Sequence, residues 1–137
     1  MISLSSKETV KGFLEQMKAI LSSEDFDINR DFVFQYIRNK DEPDDEFSNE
    51  NTLLELDYDT SDVIRVLKGL TLADYSESIV DNQSEGFHVF FVFGVKINER
   101  DIYIKIRLRE RVNDTSRHVY CISFHFARYP IVSFPYR

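Results

Sequence analysis

The sequence predicts an α+β fold, with helices in the N-terminal half of the chain and antiparallel strands from residue 87 onward. Three observations lead there. Behind Ser5-Ser-Lys-Glu8, apolar residues recur at helical spacing. Asp101-Ile-Tyr-Ile-Lys-Ile-Arg-Leu-Arg109 alternates without a break, as a strand with an apolar back and a cationic front would. His118 to Ala127 alternates again through Tyr120, Ile122, Phe124 and Phe126.

With 137 residues, the chain can build one domain with a real core and is too short for two, so residues 1–137 are read as a single domain. A 42% hydrophobic content makes it globular, and 12 Phe and 7 Tyr without Trp point to a core of aromatic rings. A single Cys excludes an internal disulfide framework and a Cys-cluster zinc site. No apolar run approaches a membrane span, and the N-terminus lacks the pattern of a signal peptide, so a cytoplasmic protein is expected. The net charge is −7, but it is unevenly spread. Residues 1–95 carry 8 Lys/Arg against 20 Asp/Glu, a net −12, and residues 96–137 carry 9 against 4, a net +5. That asymmetry predicts a basic working surface beside an acidic remainder.

In chain order, the Ser5–Glu8 capping box starts an amphipathic helix over 6–21, carrying Val10, Phe13, Leu14, Met17, Ile20 and Leu21 to the core. Residues 30–38 are aromatic and β-branched and read as extended. Residues 41–50 hold six carboxylates and no Gly, which fits a solvated acidic loop rather than a calcium loop. Residues 51–57 form a short helix, and Thr60 or Ser61 caps another that Gly69 ends. Thr71 caps one more turn through Ser78, and 81–86 are turn material. Strands follow at 87–97, 101–109 and 118–127, joined by a tight turn at 98–101 and a polar loop at 110–117. Pro130 and Pro135 keep the tail extended.

Register follows from keeping apolar residues opposite apolar residues, because a one-residue slip turns a strand inside out. A turn at Glu99-Arg100 pairs Ile97 with Ile102, Val95 with Ile104 and Phe93 with Ile106, setting Lys96 opposite Tyr103. Across the other loop, Ile104 pairs with Phe124, Ile106 with Ile122 and Leu108 with Tyr120. Tyr103 then faces His125, and Lys105 faces Ser123, at roughly 4.5–5.5 Å between Cβ atoms.

One face thus gathers Lys96, Tyr103, Lys105, Arg107, Arg109, Ser123 and His125. The bland reading is a solvated, edge-protecting sheet surface. The functional one is RNA cleavage, in which the adjacent 2′-hydroxyl attacks the scissile phosphate. That chemistry needs a proton acceptor, a proton donor and cations on the developing charge. Tyr103, His125 and Lys105 are the candidate catalytic residues. His125 titrates near neutrality, and Tyr103 serves either way if neighbouring cations lower its pKa. Lys96, Arg107, Arg109 and Ser123 would bind substrate. No metal and no cofactor are required, and the face lacks the carboxylates to hold a metal. Cys121 shares the parity of His125 but sits far along the strand for a Cys–His pair, and His88 and His118 are read as structural.

The order of Asn51-Thr-Leu-Leu-Glu-Leu-Asp-Tyr-Asp59, Gly69-Leu-Thr-Leu-Ala-Asp-Tyr75, Tyr103-Ile-Lys-Ile106 and Ile122-Ser-Phe-His125 resembles the motility quorum-sensing regulator (MqsR) family of bacterial toxin–antitoxin toxins. The resemblance runs over most of residues 10–127. It implies a RelE-like fold, helices on one side of an antiparallel sheet, and a metal-independent endoribonuclease acting on messenger RNA and silenced by a cognate antitoxin. The family's sheet tyrosine falls on Tyr103 and the lysine two positions on falls on Lys105. Its C-terminal lysine falls on His125, and another of its lysines falls near Glu77, a reversal of charge. The rival class is a non-enzymatic binding module, either a neutralising partner or a decayed toxin that only regulates, favoured by the net acidity and Glu77.

Overall fold

The computed structural model describes residues 1–35, 45–83, 86–110 and 116–137, and for 81–83, 86 and 87 the backbone alone. Within them the chain is mixed α+β: β1 (Ile2–Ser3), α1 (Lys7–Leu21), α2 (Ile28–Asp31), β2 (Phe32–Phe34), α3 (Asn49–Leu56), α4 (Thr60–Lys68), a 3₁₀ turn (Leu72–Asp74), β3 (Tyr75–Gln83), β4 (Gly86–Ile97), β5 (Arg100–Glu110) and β6 (Arg117–Phe126). The strands form one sheet in the order β1-β3-β4-β5-β6-β2. Every pairing is antiparallel except β2 with β6, which is parallel and corrects the all-antiparallel expectation. Among the described residues no helix is long and apolar enough to cross a membrane.

The helices cover one face. Val10, Phe13, Leu14, Met17 and Leu21 of α1, Leu53 of α3 and Val63, Ile64 and Leu67 of α4 join Phe91, Phe93, Ile102, Ile104, Ile106, Phe124 and Phe126 in one core. The opposite side, which carries no helix among the described residues, is the front face.

Several local assignments shift. The cap of α1 is Ser6, whose side chain accepts from the Thr9 amide at 3.1 Å. Ser5 turns inward instead, its amide donating to Tyr75 Oη at 2.9 Å and its hydroxyl 2.6 Å from that of Ser78. Arg30 and Asp31 close α2, so the extended segment is Phe32–Phe34, and residues 36–38 lie outside the described residues. Of the acidic run, 41–44 also lie outside them, and Ser48 caps α3, which puts Glu50 in a helical first turn. Asp59 caps α4, in a capping box with Asp62, rather than Thr60 or Ser61. Gly69 ends α4 as expected.

The largest departure is β3, where a helical turn through Ser78 and turn material beyond it were expected. Its sequence is polar, and a bulge between Tyr75 and Glu77 breaks the alternation. Pairing with β1 and β4 on its two sides makes it a strand, so tertiary context overrides local pattern.

The β4–β5 turn falls at Asn98 and Glu99, both with positive φ (52° and 67°), as in a type I′ hairpin. Ile97 therefore pairs with Arg100, Val95 with Ile102 and Phe93 with Ile104. This is a two-residue shift from the expected register, which preserves the faces but changes the neighbours. On the other side Tyr103 pairs with His125, Ile104 with Phe124 and Lys105 with Ser123, as the alternation requires. Beyond Lys105 a bulge at Ile122 sets Ile106 opposite Cys121 and Leu108 opposite Val119, not Ile122 and Tyr120.

Helix α3 holds that irregular edge. Asn49 donates to the carbonyl of bulged Ile122 at 3.0 Å and accepts from the Phe124 amide at 2.9 Å. Thr52, fully buried, accepts from the Phe126 amide at 2.9 Å. Two side chains thus do what a neighbouring strand would do, and they fix the segment that carries His125.

Candidate functional site

Tyr103 and His125 occupy directly opposed positions on the front face, their rings stacked at 5.3 Å between centroids and 17° between planes. Nδ1 of His125 lies 3.0 Å from the Phe126 carbonyl oxygen. A carbonyl only accepts, so in the neutral ring Nδ1 carries the proton and Nε2 presents a lone pair. Burial pushes the His125 pKa below its ordinary 6.5, against the opposing pull of that carbonyl and of Asp45. The neutral, proton-accepting form is thereby favoured at neutral pH.

Burial, and then the Glu77 carboxylate, raise the Tyr103 pKa above 10. The expectation that cations would lower it is thus reversed, and Tyr103 is suited to donate a proton rather than to accept one.

The cations separate into two groups. Lys105, Arg107 and Arg109 recur every second residue on β5, about 6.8 Å apart. Each lies against an aromatic ring: Lys105 Nζ is 4.7 Å and Arg107 Cζ 5.4 Å from the centroid of Phe90, and Arg109 Cζ is 4.2 Å from that of Tyr120. Arg109 also donates from Nε to His118 Nε2 at 2.9 Å, so His118 serves to position it. Ser123 stays opposite Lys105. Lys96 leaves the constellation, because the two-residue shift places it opposite Asp101, with the ammonium exposed and 3.9 Å from that carboxylate. Such an exposed pair holds little energy.

Cys121 also leaves it. The bulge turns its side chain into the core, where burial pushes the thiol pKa far up and its Sγ–H donates to the Ser123 carbonyl at 3.3 Å. A buried neutral thiol is no nucleophile.

The site has a wall that the strand pattern did not show. After β6 the chain crosses the front face as a strap, residues 127–137. It is pinned at one end by the Ala127 amide donating to the Asp101 carbonyl at 2.8 Å and by Arg128 donating to Asp45 at 2.9 Å. At the other end Tyr136 stacks on Tyr75, centroids 5.7 Å apart, and donates to the Ser5 carbonyl. Between these anchors the strap passes over Gly94, the cross-strand partner of Tyr103. A Cβ there would lie 2.7 Å from Ile131 Cδ1 and 3.1 Å from the Phe134 ring, so any larger residue would push these strap side chains aside.

Strap, sheet and β1 enclose a cavity of about 760 Å³ whose walls include Tyr103, His125, Glu77, Val92, Tyr129 and Ile131. The signal for this cover was Val92, in the run Phe90-Phe91-Val92-Phe93 that is apolar on both faces of β4. Phe90 and Val92 point to the front and are nonetheless buried, Val92 at the floor of the strap's cavity and Phe90 against Lys105, Arg107 and Tyr120. A strand apolar on both sides is covered on both.

Compared with protein-family models, with curated proteins and with solved structures, the chain matches none of them.

Proposed function

We propose that the chain is an endoribonuclease toxin, with its helices and sheet arranged in the RelE-like manner of the family it resembles. The observation that supports this reading is the stacked Tyr103–His125 pair, an acceptor beside a donor, at the foot of a row of cations.

Nε2 of His125 takes the proton of the 2′-hydroxyl as its oxygen attacks phosphorus. Tyr103 Oη gives its proton to the departing 5′-oxygen, and a 2′,3′-cyclic phosphate remains. Lys105 offsets the charge that builds on the non-bridging oxygens. Arg107, Arg109 and Ser123 hold neighbouring parts of the substrate. No metal or cofactor takes part in this scheme. Its setting is the cytoplasm, and its silencing partner is a cognate antitoxin that covers the cationic face or holds an edge of the sheet.

The test is induced expression in bacteria with RNA ends mapped, alongside the purified protein acting on single-stranded RNA in chelator. Growth arrest with new cyclic-phosphate ends supports the reading; intact RNA in both settings removes it. One observation favours the second reading, a non-enzymatic binding module: the Glu77 carboxylate lies in the cavity and opposes a phosphate there. RNA that is bound but left uncut would establish that reading.

A further inference from the structure

The cleavage scheme gives the strap no task. The strap supplies about half of the cavity wall, from Ala127 to Pro135, and the remainder comes from β1 and Leu4, β3, Val92 of β4 and the Tyr103–His125 pair. Much of that wall is apolar, and four of its side chains, Ile2, Leu4, Tyr129 and Val132, are both large and exposed. Apolar groups gathered at a cavity mouth mark a binding surface rather than ordinary exterior. The floor of the same cavity, Val92, is the cross-strand partner of Lys105, where the row of cations begins.

We infer that this cavity takes one nucleobase, with the attached phosphate held at Lys105, and that the strap is the wall that makes it a pocket. The inference rests on the reading of this face as an RNA site and adds which part of the nucleotide the strap receives. Lys105 stands one cross-strand step from Val92, outside the wall itself, with its ammonium 4.7 Å from the centroid of Phe90, so an apolar slot and a cation are neighbours on one face, and a nucleotide joins a flat ring to an anion in one molecule. Every base has a π face, so a slot walled by Tyr129, Pro130 and the Tyr103–His125 stack accepts a base by stacking. Glu77, Ser76 and Ser133 lie in the wall as well. A carboxylate there turns a phosphate away and accepts from ring N–H or amino groups, which orients the nucleotide with its ring inward and its phosphate toward Lys105. An extended peptide would satisfy the apolar slot but has no anion to place at Lys105 unless its sequence supplies one.

Nucleoside 5′-monophosphates and ribose 5-phosphate, added separately to the isotope-labelled full chain, divide ring from phosphate. The expected result is that at least one nucleotide moves the NMR signals of the Ile131 and Val132 methyls and of Val92. Ribose 5-phosphate should move only signals around Lys105, and single-stranded RNA should displace the nucleotide. Tyr129→Ala alters an exposed side chain outside the core and should weaken nucleotide binding roughly tenfold, within the range of one lost base–aromatic stack. Gly94→Val, which drives a branched side chain into Ile131 and Phe134, should abolish the ring-dependent shifts and keep the phosphate-dependent ones, with the Ile104 and Leu67 methyls reporting an intact core.

Identical shifts from nucleotide and ribose 5-phosphate, with Ile131 and Val132 silent, would overturn the pocket. So would wild-type nucleotide binding by Tyr129→Ala, and so would a nucleotide that RNA cannot displace. In each of those cases the cleavage reading stands if the wild-type chain still cuts RNA.

Discussion

The rings of Tyr103 and His125 lie nearly parallel, 5.3 Å apart, on strands that set their Cα atoms directly opposite. The pairing is fixed from behind and from the side. Ile104 and Phe124, one residue along on each strand, are both fully buried, so neither strand can slip without exposing them. Asn49 and Thr52 hold the outer edge. The proposed cleavage scheme needs this fixity of the pair, because small displacements at a reacting centre are costly.

Loss of the edge support should register as stability. Thr52→Val keeps the shape of the side chain and leaves the buried Phe126 amide without its acceptor. The expected cost is about 1–3 kcal/mol, seen as a lower urea midpoint at unchanged m-value. An unchanged midpoint would mean that the edge is held by other groups.

The pH dependence follows from the direction of the His125 shift. Its folded pKa is below the unfolded 6.5, so the unfolded chain binds the proton more readily. The stabilisation is complete above pH 6.5 and is lost as pH falls through the folded value. The acid limb of the cleavage profile should likewise fall below pH 6.5, and Tyr103, raised above 10, stays protonated throughout. An NMR titration of the His125 ring checks this, and a midpoint above 6.5 would refute it.

The β4–β5 turn offers a gain. Glu99 sits at φ 67°, a left-handed conformation that costs a non-glycine residue roughly 1–2 kcal/mol. Glu99→Gly completes the Asn-Gly pair that type I′ turns favour. It should raise stability by about 1 kcal/mol, read from thermal melts, and a lower melting temperature would argue against the turn geometry.

Much of the central sheet was legible because alternation is unbroken from Asp101 to Arg109, and buried Ile104 and Phe124 admit one register. Legibility stopped at Ile122, where the bulge inserts one residue and reverses the parity of Cys121 and Tyr120. Lys96 was misplaced because Asn98 and Glu99, rather than Glu99 and Arg100, adopt the turn conformation. Strand β3 was hidden by its polar composition and its own bulge, and β1, two residues long, has no period to read. The strap left its trace on β4, in front-facing Val92, and not in its own sequence.

The cationic row predicts a salt effect. Each phosphate contact to a single strand contributes about 0.7 to the log–log slope of affinity against salt. Lys105→Ala with Arg107→Ala should flatten that slope by about 1.4 if each holds one phosphate. An unchanged slope would place RNA elsewhere on the molecule.

The most direct measurement is the rate of cleavage of one defined single-stranded RNA by Tyr103→Phe, by His125→Gln and by the pair. Phe keeps the stacked ring and removes only the hydroxyl. Each single change should cost about 10²–10⁴ in rate, and the double should be little worse than the poorer single, as for groups that act as one unit. Wild-type cleavage by either single variant across the range where His titrates, about pH 5 to 8, would contradict the assignment of proton transfer to this pair.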